Sequence, residues 1–299
     1  MGIVECVPNF SEGQNDEVIS KITEAILSVK GIKLLDQERD ANHNRCVISF
    51  IGSEDVVVEG AFRGIREAST LINLDNHKGE HPRFGASDVI PFIPVSGVDI
   101  KKCVDLANEL GSRVSKELGI PVYLYGEAAK IEWRKSLENI RNKNFQYEQI
   151  RNEIHKEQWK PDFGPQEVGT AGASIIGARD FLIAYNVNLR TQDIESGKKI
   201  AKALRAKDGG LTFVKALAFY LEDRKMVQIS MNLTNYKKTP IYRAYELVRM
   251  EAQRFGFEIA ESEIVGLTPM DALIESAKYY LRLNGFKSNQ IFEKKVWEQ

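Results

Sequence analysis

Long hydrophobic runs are missing from this chain. No stretch approaches the roughly 20 consecutive apolar residues that a membrane-spanning helix needs, and the start, MGIVECVPNF, has neither a basic leading segment nor an extended apolar core. Neither a signal peptide nor a membrane anchor is therefore expected, and a cytoplasmic location is. Cysteine is scarce: Cys6, Cys46 and Cys103 form no CxxC pair, which argues against a disulfide framework and predicts three reduced thiols in apolar elements. An excess of one charge is also lacking. Forty-one Lys and Arg face 42 Asp and Glu, for a formal net charge of -1, so neither nucleic acid nor a membrane surface is implied as a partner. Anion recognition must come from a few placed cations. Histidine is rare too, four residues in 299, and one of them sits in the unusual run GEHPRFGASD at 79–88.

What is present is alternation of strand and helix patterns. Residues 2–10 are β-branched and apolar enough for a strand. From Glu17 the positions Val18, Ile19, Ile22, Ala25, Ile26 and Val29 follow helical spacing, which Gly31 ends. Two strands over 32–39 and 45–52 flank the polar turn DANHN. A helix over about 54–72, the loop NHKGEHPRFGAS, the strand VIPFIPV, a helix from Ile100 and the strand PVYLYG follow. Residues 127–160 are polar and read as helix plus connecting segment. Residues 161–180, with four glycines and two prolines, read as an ordered loop. The order then starts again: strand FLIAYNVNL, helix Ile194–Leu204, strands VKALAFYLE and MVQISMNLTN, helix 240–255, strand FEIAESEIVGL and a helix from Pro269. Both halves read β-α-β-β-α-β. The expected fold class is α+β, two ferredoxin-like (βαββαβ) subdomains with their sheets facing across a ligand cleft. Their expected extents are residues 1–178 and 179–299.

Three readings compete for His81. His77-Lys78-Gly79-Glu80-His81 has the H-x-x-E-H pattern of inverted zinc peptidases, but that pattern binds metal only on a helix, where positions i and i+4 share a face. Gly79 inside it and Pro82 after it oppose a helix, so no metal is expected. A plain surface turn is the second reading. The third is an acid-base catalyst, because imidazole titrates nearest neutrality. The loop leads into a buried strand, and Glu80, Arg83, Ser87 and Asp88 crowd beside it.

The runs VPNFSEG (7–13), DANHNR (40–45), GEHPRFGASDVIPFIPV (79–95), DFGP (162–165), GARDFLIAYNVNL (177–189) and YYLRLNGF (279–286) together resemble the formiminotransferase family. The resemblance covers nearly the whole chain. It implies a glutamate formimidoyltransferase of histidine degradation, which moves the formimino group of N-formimino-L-glutamate onto N5 of tetrahydrofolate, a cosubstrate, without metal. It also implies two α/β subdomains, a homodimer, and the stand-alone transferase without the cyclodeaminase domain that animal relatives carry. The family's HPRFG histidine falls on His81, with Glu80, Asp40 or Asp88 as groups to orient it.

Each further motif carries two readings. In VPNFSEG, Ser11 or Asn15 would cap a helix, while Asn9, Ser11 and Glu12 would contact substrate. In DANHNR, an Asn-rich hairpin turn, Asp40 and Arg45 would reach ligand. Arg83, with a guanidinium fork suited to a carboxylate, would hold substrate or form a surface ion pair; Asp88 joins the substrate set. The resemblance places folate contacts on Asp162, Phe163, Gly164 and Pro165, then Gly169, Thr170 and Ala171, although PQEVGTAGAS departs from the animal pattern and leaves the pterin contacts open. GTAGAS lacks the ending of a phosphate loop. Two further functional readings are a related transfer from another donor, such as formiminoglycine, and a folate-binding protein without turnover.

Overall fold

In β1 (Ile3–Cys6) and β2 (Asn9–Phe10) the chain lays down a single extended line, interrupted at Val7-Pro8 because proline has no N–H to give a ladder. A computed structural model describes residues 2–297 of the protein. Asn15 then caps α1 (Asp16–Leu27), accepting from the backbone N–H groups of Glu17 and Val18 at 3.0 and 3.3 Å. Ile19, Ile22 and Ile26 on one helical face are fully buried, each contributing about 1.5–3 kcal/mol. β3 (Lys33–Asp40) and β4 (Arg45–Ser53) form a hairpin. Strand β4 alternates half-buried and buried residues without a break, the period of a strand with one face in a core. Then follow α2 (Glu54–Leu71), β5 (Ser87–Ser96), α3 (Ile100–Leu118) and β6 (Val122–Gly126). Asp99 caps the start of α3, and left-handed Gly119 ends it.

Residues 127–160 form only short pieces, including α4 (Leu137–Ile140) and α5 (Tyr147–Glu153). The stretch 161–180 holds a strand where only loop was expected. β7 (Ser174–Ala178, SIIGA) is wholly buried and lies between β5 and β6, parallel to both. It escapes a periodicity argument because a strand covered on both faces is apolar throughout and short. In this first unit, residues 1–180, the order across the sheet is β3, β4, the β1/β2 line, β5, β7, β6.

The second unit, residues 181–299, comprises β8 (Ile183–Leu189), α6 (Ile194–Leu204), β9 (Val214–Leu221), β10 (Met226–Leu233), α7 (Ile241–Arg254), β11 (Ile259–Val265), α8 (Met270–Leu281) and a short α9 (Phe292–Trp297). Its sheet runs β11-β8-β10-β9, antiparallel throughout. The protein is thus a mixed α+β molecule with two sheets. Each unit encloses its own core, one around Phe50, Phe62, Phe92 and Ile176, the other around Val187, Ile229 and Val248.

Candidate active site

Antiparallel pairing gathers the motifs at one end of the first sheet. Phe10 pairs with Cys46 and Ser87, so the end of β2 meets the starts of β4 and β5, and Asp40 pairs with Arg45 across the hairpin. The loops 11–13, 40–45 and 77–87 therefore converge. Asn44 ties three of them. It adopts the left-handed backbone, φ 49°, that asparagine tolerates, accepts from Gly13 N–H at 2.8 Å and donates to the Lys78 carbonyl at 2.8 Å. Gly13 and Gly79 are needed for that approach, since a Cβ on either would lie 2.3–2.4 Å from a backbone oxygen of the hairpin turn. Ser11 donates to the Gly85 carbonyl at 2.8 Å rather than capping α1.

His81 lies half-buried between two arginines. Nη1 of Arg45 is 3.2 Å from its Nε2, and Nη1 of Arg141 is 3.5 Å from its Nδ1. A guanidinium only donates, so the nearer contact casts Nε2 as the acceptor, and two flanking cations favour the neutral imidazole. Burial, then Arg45 and Arg141, push its pKa down to about 2. Arg45 also donates to the side-chain oxygen of Asn9. Arg141 donates to the Asp88 carboxylate and, at 2.8 Å, to the Pro82 carbonyl. Asp88 is buried, and its other oxygen accepts from the Phe84 N–H at 2.7 Å. Burial raises its pKa while Arg141 opposes that. Among the described residues no carboxylate orients the imidazole directly. Asp88 acts through Arg141, Asp40 holds the neighbouring His43 at 2.7 Å, and Glu80 reaches the turn through its backbone N–H.

The other expected residues divide. Glu12 accepts from the N–H groups of Gln14 and Asn15, stabilising the turn before α1. Arg83 forks onto Glu148 at 2.5 and 3.1 Å and also meets Gln146, so it reaches a substrate carboxylate only by releasing Glu148. Gly169, Thr170 and Ala171 belong to the segment beside the histidine loop: Ala171 accepts from Ala86 N–H at 2.8 Å, Thr170 from Leu74 N–H at 2.9 Å and Gly169 from Gly172 N–H at 3.0 Å. Asp162 and Phe163 lie instead at the start of β6, with β7 between them and β5. Asp162 accepts from Leu124 N–H and from the buried Arg134 at 2.8 and 2.9 Å. Phe163 packs on Gly111 beneath the Lys130 ammonium, Gly164 supplies a left-handed φ of 100°, and Pro165 is exposed.

Residues 77–81 are not helical, and His77 Nε2 meets the Asn44 carbonyl at 3.0 Å. No group of three His, Cys, Asp or Glu side chains converges on a metal position among the described residues. Sequence reasoning missed Arg141. Its only signal is an arginine in a polar segment, which looks the same as a solvated one until the chain folds back.

The chain matches the model of the formiminotransferase domain's N-terminal subdomain over residues 3–179 and that of the formiminotransferase domain over residues 184–295. It is 63% identical to a glutamate formimidoyltransferase of Thermoplasma acidophilum over 99% of this chain and 98% of that one. Identity to a glutamate formimidoyltransferase of Streptococcus pyogenes is 42%, over 95% of each chain. Identity to a formimidoyltransferase-cyclodeaminase of Rattus norvegicus is 45%, over 93% of this chain and 52% of that protein. No helix among the described residues is long and apolar enough to cross a membrane.

Proposed function

Because the chain belongs to the formiminotransferase family, we propose that it transfers the formimino group of N-formimino-L-glutamate to N5 of tetrahydrofolate, with His81 moving the protons. The observation that carries the role of His81 is an imidazole set between the half-buried Arg45 and Arg141, with Nε2 held by a guanidinium that a ligand can draw off. The formimino group is an amidinium with an electrophilic carbon. When the folate amine adds to it, one proton must leave N5 and one must reach the departing glutamate nitrogen. Neutral Nε2 takes the first. The imidazolium so formed is disfavoured by burial and by Arg45 and Arg141, so it hands the proton on readily as the carbon–nitrogen bond to glutamate breaks.

Arg45 is the guanidinium best placed for a substrate carboxylate. A carboxylate that draws Arg45 away from Nε2 frees that atom for the reacting amine, which couples donor binding to base activation. Asn9 and Ser11 position Arg45 and the histidine loop, Asp88 positions Arg141, and Gly169–Ala171 line the approach to the loop for the folate. The fold reading is finer than mixed α+β as well. Within each unit the strands lie in the order fourth, first, third, second, leaving aside β6 and β7, which supports two ferredoxin-like units.

Turnover of N-formimino-L-glutamate with tetrahydrofolate, measured on wild type and His81→Ala, tests this reading. The expected result is 5-formiminotetrahydrofolate from wild type and a loss of at least about a hundredfold in the variant. Equal turnover in both would reduce His81 to a turn residue.

A further inference from the structure

Strand β1 carries a carboxylate that the chemistry above does not use. Glu5 is 3% exposed, and its Oε2 is buried without a hydrogen-bond partner among the described residues. Alternation places it on the sheet face away from the helices, because Val4 and Cys6 on either side belong to the helix-covered core. Its neighbours across the ladder are Ile51 on β4 and Ile93 on β5. Asn9, four residues on, shares this face, opposite Val47 and Val89. Since Asn9 holds Arg45, and Arg45 holds His81, Glu5 lies on the face that begins at the reaction centre, about 13 Å along the strand from Asn9 at about 3.3 Å per residue. Burial raises its pKa to about 6, with nearby Arg179 opposing that rise. Arg179 in turn hydrogen-bonds the buried Tyr125. A buried acceptor left unpaired is costly, and native structures retain few of them.

We infer that Glu5 is a folate-recognition residue, whose carboxylate receives the paired N–H donors of the pterin's 2-amino-4-oxopyrimidine edge. This rests on the proposed transfer to tetrahydrofolate. The chemistry of the two substrates narrows the choice. The amidinium of the donor must lie at His81 to react, so it does not reach Glu5. The carboxylates of glutamate and of the folate tail are repelled by a carboxylate. The pyrimidine edge is the remaining donor group with two N–H bonds side by side, and it matches the two oxygens of a carboxylate as a guanidinium does. A bicyclic ring together with the Glu5 side chain spans a distance of the order of that between Glu5 and Asn9.

Steady-state kinetics of the full chain test the assignment, using wild type and Glu5→Gln with tetrahydrofolate and with a tetrahydrofolate analogue lacking the 2-amino group. Glutamine keeps the shape and exchanges one acceptor for a donor. KM for tetrahydrofolate should rise about tenfold or more in Glu5→Gln, because a site built to pair a substrate N–H discriminates strongly when the pair is lost. KM for N-formimino-L-glutamate should stay within about twofold, the span that a change of 0.4 kcal/mol would produce. The analogue should bind more weakly than tetrahydrofolate to wild type and lose nothing further in the variant. An unchanged folate KM, or a rise confined to the formiminoglutamate KM, overturns the inference while leaving the transferase reading intact. Absence of product from wild type defeats the transferase reading itself. If Glu5→Gln fails to fold, the analogue decides on wild type alone: binding equal to that of tetrahydrofolate overturns the role of Glu5.

Discussion

At Nε2 of His81 a guanidinium donates and cannot accept, and that polarity sets the pH behaviour of the site. The wild-type kcat/KM profile should show no acid limb from His81 near its ordinary pKa of about 6.5. The imidazole stays neutral far below that value. Arg141→Gln removes a positive charge at 3.5 Å and leaves Asp88 unneutralised, so both changes raise the His81 pKa. An acid limb should then move up towards the ordinary value, and an unmoved profile would refute the electrostatic account. Stability follows with a defined sign. The folded pKa lies below the unfolded one, so between them the unfolded chain binds a proton that the folded chain does not. His81 therefore favours folding above about pH 6.5 and disfavours it progressively as pH falls below that. His81→Asn should flatten the decline of denaturation midpoint between about pH 6.5 and 4.5 relative to wild type.

At the level of elements, two devices hold the site's supporting frame. The first is the ion pair of Arg134 with Asp162, at 2.9 Å and with both side chains almost wholly buried. It fastens the 127–160 segment, from which Arg141 comes, to the start of β6, since Arg134 also donates to the Gln158 and Lys160 carbonyls. Removing one partner of a buried pair leaves an uncompensated charge, so Asp162→Ala should destabilise the chain by about 3–5 kcal/mol in chemical denaturation. A loss under about 1 kcal/mol with a large rise in the folate KM would instead place Asp162 in ligand binding. The second device is Gly177 in β7. A Cβ there would lie 2.3 Å from the Tyr125 carbonyl of β6. Gly177→Ala should cost about 1–3 kcal/mol by forcing the two strands apart, measured by the same denaturation midpoint.

For the whole molecule, the separation of the two cores has a consequence. Every side chain assigned to proton transfer or ligand contact, from Glu5 to Ala171, lies in the first unit, whose core is complete within residues 1–180. A fragment of residues 1–180 should therefore unfold cooperatively on its own, and a gradual, uncooperative transition would show that it depends on the rest. Much of this architecture was readable along the chain. Helical spacing at Ile19, Ile22 and Ile26, alternation in RCVISFIGS and the DANHN turn specify local structure, because side-chain period and turn chemistry are properties of neighbouring residues. The motif runs pointed to the family and marked His81 as the candidate proton carrier. Strand β7 was not readable, since SIIGA has no period to show and its partners β5 and β6 are distant in sequence. Nor was the meeting of Arg141 with His81, or the burial of Glu5. Those depend on which segments fold back over which sheet face. That is decided by long-range packing, in which a residue's charge, exposure and partner come from side chains far away in sequence. The sequence by itself determined the elements whose period is local and the family they belong to; only the tertiary structure decided that β7 forms and which charges surround the proposed catalyst His81.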